Sequence, residues 1–201
     1  EHRHTEFDSR HVATALYRLA LVRDEVEDMK QSQYPVATMA TLLEMFQDIV
    51  LKEKMGARSL ANAVWACSIL SSAVPGIEAM APVLAEAAIL RLEEFSPQGI
   101  SNCAWALARL DVTCDGREPE SVEVRYWDAT ATRVCVLSKE FIGQQLSNLS
   151  WSLAVARSWN SDALQALAGS ASRDKQVMSK PQQLANMTWA FGKLEERHSG
   201  L

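Results

Sequence analysis

The sequence predicts an all-α protein, an α-solenoid of about five two-helix repeats of which the last is incomplete. Three observations indicate this class: one phrase occurs five times without internal gaps, each copy closes on an aromatic residue, and successive copies are 38–48 residues apart. Such spacing is typical of stacked helical hairpins. The closing residues are Tyr17, Trp65, Trp105, Trp151 and Trp189. Because the copies extend along nearly the whole chain, residues 1–201 are interpreted as a single domain.

The first helix of each repeat is defined best by the third copy. Ser96 is a suitable N-cap, and Pro97 suits the first helical position, where its missing N–H costs no hydrogen bond. Phe95 and Ile100 have the spacing of a hydrophobic staple, which fixes the angle at which the chain enters the helix. The same spacing relates Phe7 to Val12, Met55 to Leu60 and Phe141 to Leu146. In the fifth copy the corresponding pair is Ser179 and Leu184, so the staple is missing there unless Met178 takes its place.

The second helices have less regular patterns, and we expect them at about 36–54, 77–93, 124–138 and 162–175. Pro82 either kinks the second of these helices or marks a later start. Two polar, charged segments account for the longer repeats, and they are predicted to be insertions near 24–34 and 111–123.

Composition excludes several classes of function. The net charge of −5 lacks the basic excess of a protein held mainly by phosphates, although charge can be segregated on the surface. Apolar runs are too short to span a membrane. No common catalytic motif occurs, so we expect no enzymatic activity, no cofactor, no metal and no small-molecule substrate. The four cysteines form no CxxC pair and are interpreted as buried thiols, with a disulfide or a metal site as alternatives.

The segment 181–190, with the sequence PQQLANMTWA, resembles the octotricopeptide repeat and the related helical arrays that precede RAP domains. The first copy departs from this phrase, with Thr14 in place of Asn and Tyr17 in place of Trp. The resemblance implies a location in a chloroplast or mitochondrion and a role in the processing, stability or translation of organellar RNA. Some proteins of this kind are built into organellar ribosomes. We do not expect a RAP domain after residue 201, and this lowers the expectation of nuclease activity.

Two sets of residues recur in the repeats and are interpreted as structural. The first set consists of Asn62, Asn102, Asn148 and Asn186, which we expect to form an internal ladder of amides bonded to the neighbouring backbone. The second set is the closing aromatic residues, which we expect to fill the joints between repeats. The functional alternatives are amides that contact RNA and exposed rings on which bases stack.

Residues that vary between copies are the candidates for contact with a partner. Side chains at the start of each first helix are candidates for holding phosphates: Arg10, Arg58, Gln98, Gln144 and Gln182. One turn beyond the aromatic residue is a mixed row, Leu21, Ile69, Arg109, Val155 and Lys193, from which Arg109 and Lys193 are candidates. A solvated helix face is the alternative for both sets.

Two functions fit the sequence. The first is a non-catalytic module that binds single-stranded RNA, and the second is a scaffold that binds protein subunits of an organellar complex such as a ribosome or a photosynthetic or respiratory assembly. The distribution of cations distinguishes them, because RNA needs a basic groove.

Overall fold

The structure is a computed structural model that describes residues 8–22, 33–52, 55–174 and 180–198. Within these ranges the regular elements are helices and there is no strand, which confirms the all-α class. The α-helices are α1 (Ser9–Leu21), α2 (Gln33–Leu51), α3 (Ala57–Leu70), α4 (Ala81–Arg91), α5 (Pro97–Arg109), α6 (Val122–Leu137), α7 (Gly143–Val155), α8 (Ser161–Ala171) and α9 (Pro181–His198).

The helices form two layers. In the first layer α1, α3, α5, α7 and α9 each pack against the next, and in the second layer α2, α4, α6 and α8 do the same. Contacts between α1 and α2, α3 and α4, α5 and α6, and α7 and α8 join the layers. This order of contacts is consistent with an α-solenoid.

Small residues allow the helices of the first layer to approach closely. In four copies the residue after the aromatic position is small and fully buried, as close helix packing requires. These residues are Ala66, Ala106, Ser152 and Ala190. The hydroxyl of Ser152 donates to the carbonyl of Asn148 at 2.7 Å, which satisfies a polar group that has no access to water. Large apolar side chains, including Leu60, Ile100 and Leu146, fill the space toward the second layer.

The start of α5 confirms the predicted cap and staple. The Ser96 hydroxyl accepts a hydrogen bond from the Gly99 N–H at 3.2 Å, and Pro97 is the first helical residue. Phe95 and Ile100 are both buried, as are the two residues of the staple pairs at α3 and α7. Phe7 and Ser179 lie outside the described residues.

The second-layer helices begin and end within a few residues of their predicted bounds. Pro82 marks a later start and not a kink, because a 3₁₀ turn (Glu78–Met80) precedes α4 and the proline lies in its first turn. The first predicted insertion lies outside the described residues except for 33–34, which begin α2. Most of the second connects α5 to α6, and its last two residues, 122–123, belong to α6.

The connection between α5 and α6 is anchored at two points. The indole N–H of Trp127, a fully buried residue of α6, donates to the carbonyl of Val112 at 2.8 Å. Farther along, the Cys114 N–H donates to the carbonyl of Ala156 at 2.8 Å, just beyond the end of α7. These bonds hold the connection across the ends of α5 and α7. Among the described residues, no helix is both long enough and apolar enough to cross a membrane.

The anchoring role of Trp127 can be tested by Trp127→Phe. This change leaves the buried carbonyl of Val112 without its donor and opens a small cavity, so we expect the free energy of unfolding to fall by about 2–3 kcal/mol. Trp189→Phe, at a position that is 45% exposed, is the control and should change it by less than about 0.5 kcal/mol. Urea titration measures both, and equal effects would contradict the anchoring role.

Candidate functional site

The first layer of helices presents a row of solvent-accessible side chains that we call the open face. It consists of the second, sixth, ninth and thirteenth residue of each first-layer helix, a spacing that places all four on one stripe. The residues are Arg10, Thr14, Tyr17 and Leu21 on α1; Arg58, Asn62, Trp65 and Ile69 on α3; Gln98, Asn102, Trp105 and Arg109 on α5; Gln144, Asn148, Trp151 and Val155 on α7; and Gln182, Asn186, Trp189 and Lys193 on α9. None of these side chains belongs to the fully buried core.

The aromatic residues lie on the open face and not in the core, which corrects the sequence-based interpretation. Tyr17 is 38% exposed and Trp189 is 45% exposed, while Trp65, Trp105 and Trp151 are half-buried. Rings from neighbouring helices do meet: the centroids of Tyr17 and Trp65 are 5.3 Å apart, and those of Trp105 and Trp151 are 6.3 Å apart. The rings therefore line the joints between helices and keep part of their surface open to solvent.

The predicted ladder of buried amides is not present among the described residues. Asn62, Asn102, Asn148 and Asn186 are all half-buried on the open face. The side-chain oxygen of Asn186 accepts a hydrogen bond from the side-chain amide of Gln182 at 2.8 Å, within the same helix. The side chains of the other three make no hydrogen bond to any described residue. These amides are therefore available to a ligand, although nothing in their spacing along the sequence distinguishes them from an internal ladder.

The candidates at the starts of the first-layer helices are exposed, as a contact role requires. Arg58, Gln98, Gln144 and Gln182 are exposed at the second helical position. Arg10 is also exposed, but its guanidinium lies 3.2 Å from the carboxylate of Asp8, the N-cap of α1. Hydrogen bonds from the His11 and Arg10 backbone lower the pKa of Asp8, so this carboxylate is charged at neutral pH.

The mixed row contributes two cations. The guanidinium of Arg109 lies 4.8 Å from the centre of the Trp105 ring, a cation–π arrangement, and it has no carboxylate partner among the described residues. Lys193 on α9 is exposed. Leu21 is 61% exposed, while Ile69 and Val155 are half-buried, so this row is only partly polar.

Charge is segregated between the two layers. The described side chains of the first-layer helices include five cations, Arg10, Arg18, Arg58, Arg109 and Lys193, and one carboxylate, Glu195. The second-layer helices contain three cations, Arg91, Arg125 and Arg133, and six carboxylates, Glu44, Asp48, Glu86, Glu123, Asp128 and Asp162. The first-layer helices therefore have a positive balance and the second-layer helices a negative one, and most of the acidic excess of the chain lies outside these helices.

Two of the grooves lined by described residues lie on the open face. The first groove, with a volume of about 550 Å³, lies over α3 and is lined by Tyr17, Arg58, Asn62, Gln98 and Asn102 among others. The second groove, of about 650 Å³, lies between α7, α9 and the α5–α6 connection. Its polar lining consists of Asp115, Arg157, Trp189 and Lys193. Sequence reasoning did not identify the second groove as a site, because it depends on where the α5–α6 connection crosses the helix ends.

Arg157 and Asp111 occupy an uncommon backbone conformation beside the second groove. Their φ angles are +57° and +62°, in the left-handed region that favours glycine. Each follows the end of a first-layer helix, and the hydrogen bonds around each form a Schellman motif: the Ser158 N–H donates to the Leu153 carbonyl, and the Val112 N–H donates to the Leu107 carbonyl, both at 3.0 Å. Arg157 also forms an ion pair with Asp115 of the connection. A charged side chain is thus held where glycine is the usual residue.

The cysteines are free thiols, and two of them are buried on the first-layer helices. Burial raises the pKa of Cys67 to about 12 and that of Cys103 still further. Burial also raises the pKa of Cys114 to about 11, helped by the charge of Asp128. In the described residues, no group of three or more histidine, cysteine, aspartate or glutamate side chains is placed to hold a metal ion.

Comparison of the chain with protein-family models, with curated proteins and with solved structures found no match. The likeness to octotricopeptide arrays therefore stays a prediction from the repeated phrase.

The backbone strain at Arg157 can be isolated by comparing Arg157→Gly with Arg157→Ala. Both variants lose the ion pair with Asp115, so the difference between them reports the cost of a Cβ atom at positive φ. We expect the glycine variant to be more stable by about 1 kcal/mol in urea titrations. The same pair of changes at Asp111 should give a difference of the same sign. Equal stabilities of the glycine and alanine variants would contradict the backbone geometry.

The buried thiols predict a loss of stability at alkaline pH. Below about pH 8 the thiols keep their protons in both the folded and the unfolded state. As the pH rises further, the unfolded chain loses these protons and the folded protein does not, so each buried thiol lowers the free energy of unfolding by about 1.4 kcal/mol per pH unit. Urea titrations between pH 8 and pH 10.5 measure the slope. Cys103→Ala should make the slope shallower by this amount, and an unchanged slope would contradict burial of the thiol.

Proposed function

We propose that this chain is a non-catalytic helical-repeat module of about five two-helix repeats, the last incomplete, that binds single-stranded RNA along the open face. The observation that carries the proposal is the coincidence of three ligand-binding features on one stripe. Accessible aromatic rings, amides without an internal partner and cations recur there at matching helical positions.

Each feature supplies a different part of RNA recognition. Bases stack on exposed aromatic rings, and this stacking contributes about 1–3 kcal/mol per base. Amide groups form hydrogen bonds with the edges of unpaired bases. Arg58 and Arg109 have no carboxylate partner among the described residues, so phosphates can approach them without displacing an internal ion pair. The positive balance of the first-layer helices supports an approach of phosphates to this layer in spite of the acidic total.

A second function is favoured by a different surface. Aliphatic side chains of the second layer and its connections are strongly exposed, with Leu51 at 62%, Leu90 at 56%, Val136 at 66% and Ile142 at 57%. Exposed apolar side chains are typical of surfaces that contact other proteins when they form a continuous patch. The alternative function is therefore a scaffold or accessory subunit of a large organellar complex. An organellar location, in a chloroplast or mitochondrion, is proposed on the resemblance of the repeated phrase alone.

RNA binding can be tested with purified protein and a fluorescently labelled 15-nucleotide RNA of mixed sequence. We expect a rise in anisotropy at about 50 mM salt that weakens steeply as salt increases, because bound phosphates release counterions from the RNA. Arg58→Gln and Arg109→Gln should each weaken binding severalfold and reduce the salt slope by about 0.7.

Arg125→Gln is the matched control, because it removes the same charge from the second layer, where Arg125 is paired with Glu86 at 2.8 Å. We expect its affinity to stay within about twofold of the wild-type value. Absence of binding at low salt would refute the proposal, and equal weakening by all three changes would show that only net charge matters. Partners that co-purify and survive nuclease treatment would favour the scaffold.

A further inference from the structure

The first groove is lined by two side-chain amides that make no hydrogen bond to a described residue. Two neighbouring helices contribute an asparagine each, Asn62 from α3 and Asn102 from α5, and both line the groove. Each side chain is half-buried and makes no hydrogen bond to a described residue. Partial burial limits the water that can reach an amide, so a ligand that bonds to it gains more than it would from a fully exposed amide.

The last helix of the first layer has the same amide in a different state. The side-chain amide of Gln182 donates a hydrogen bond to the side-chain oxygen of Asn186 at 2.8 Å. In α3 the residue that corresponds to Gln182 is Arg58, and the side chain of Asn62 makes no hydrogen bond to a described residue. Asparagines at the same helical position therefore differ in their hydrogen bonds, and in the first groove two amides without a bond to a described residue line one cavity.

The groove also has a place for one phosphate. Arg58 is exposed, lines the groove and has no carboxylate partner among the described residues. It lies in the first turn of α3, where the N-cap Gly56 offers no side-chain acceptor for the free N–H groups. Glu94 also lines the groove, and it is paired with Arg91 at 3.1 Å. This distribution of charge favours an anion beside α3 and disfavours one beside Glu94.

We propose that the first groove is a specificity subsite that binds one purine nucleotide of a single-stranded RNA. This inference rests on the RNA-binding function proposed above. The amides supply the reason for a purine: each can form two hydrogen bonds with one base edge, and a purine has two such edges, the Watson–Crick edge and the Hoogsteen edge, whereas the Hoogsteen edge of a pyrimidine lacks the ring nitrogen N7.

The size and lining of the groove agree with this ligand. Its volume of about 550 Å³ falls in the range of small-molecule sites and can hold a base with its sugar and phosphate. Tyr17 forms one wall, and its ring is supported by Trp65 at a centroid distance of 5.3 Å. The base therefore has an aromatic surface beside the amides, while the phosphate lies near Arg58.

Four labelled RNAs test the subsite: a 15-nucleotide oligouridylate and its three variants with A, G or C at the central position. We expect the wild-type protein to bind at least one of the A and G variants about fivefold or more tightly than both the C variant and the oligouridylate. Asn62→Leu and Asn102→Leu should each reduce this preference to less than about twofold, because leucine has a similar shape and no hydrogen-bonding group. Binding of the oligouridylate should change by less than about twofold.

Asn186→Leu is the matched control, because this amide is already bonded to Gln182. It should keep the purine preference of the wild-type protein. Urea titration checks that each variant folds, and alanine replaces leucine at any position where the leucine variant does not.

The outcomes separate the two levels of the proposal. A wild-type protein that binds none of the RNAs at about 50 mM salt refutes RNA binding and the subsite together. A wild-type protein that binds all four RNAs equally leaves RNA binding intact and overturns the purine subsite. Equal loss of preference in Asn186→Leu and Asn62→Leu overturns the assignment of the subsite to the first groove.

Discussion

Close packing of the first-layer helices is the constraint on which the rest of the structure depends. Residues such as Ala63, Ala66, Ala104 and Ala106 have no exposed surface, and larger side chains at these positions would push the helices apart. Because neighbouring helices are close and similarly placed, equal positions on successive helices come side by side. The ring contacts between Tyr17 and Trp65 and between Trp105 and Trp151 are direct consequences. A repeated phrase in the sequence thus becomes a row of similar side chains in space.

The helices of the two layers differ in charge. Cations predominate on the first-layer helices and carboxylates on the second, and several second-layer cations are already paired, for example Arg125 with Glu86 and Arg133 with Glu93. Arg58 and Arg109 lack such partners among the described residues. Net charge is a poor guide to the partner of a protein built this way, because a ligand that contacts one layer experiences mainly the charge of that layer.

The sequence predicted the helices well and the environment of their repeated residues less well. Ser96, Pro97, Phe95 and Ile100 form local signals within a few residues of each other, and each lies where the signal predicted. The prediction of an amide ladder was wrong because the burial of these asparagines depends on which stripe of the helix faces the second layer. In α5 the charged residue Arg109 lies on the same stripe as Asn102 and Trp105, and its presence was the signal that this stripe faces solvent.

The course of the α5–α6 connection lay beyond sequence reasoning. It depends on the long-range hydrogen bonds that Val112 and Cys114 make, and on left-handed backbone at two non-glycine residues, Asp111 and Arg157. Neither feature produces a periodic pattern in the sequence. The second groove, which this connection completes, could therefore be found only from the folded structure.

The two grooves are chemically unequal, and this inequality determines how an extended ligand would distribute its contacts. In the second groove Arg157 is already paired with Asp115, so a phosphate that binds there must compete with a carboxylate that the folded connection holds nearby. In the first groove Arg58 has no such competitor among the described residues, and two unbonded amides lie within reach. An RNA strand on the open face would therefore gain most of its base discrimination over α3, while Trp105, Trp151 and Trp189 offer surfaces on which any base can stack. Under the proposed function, such a module would fix the register of a bound strand at one end and would hold the remainder with little regard to sequence.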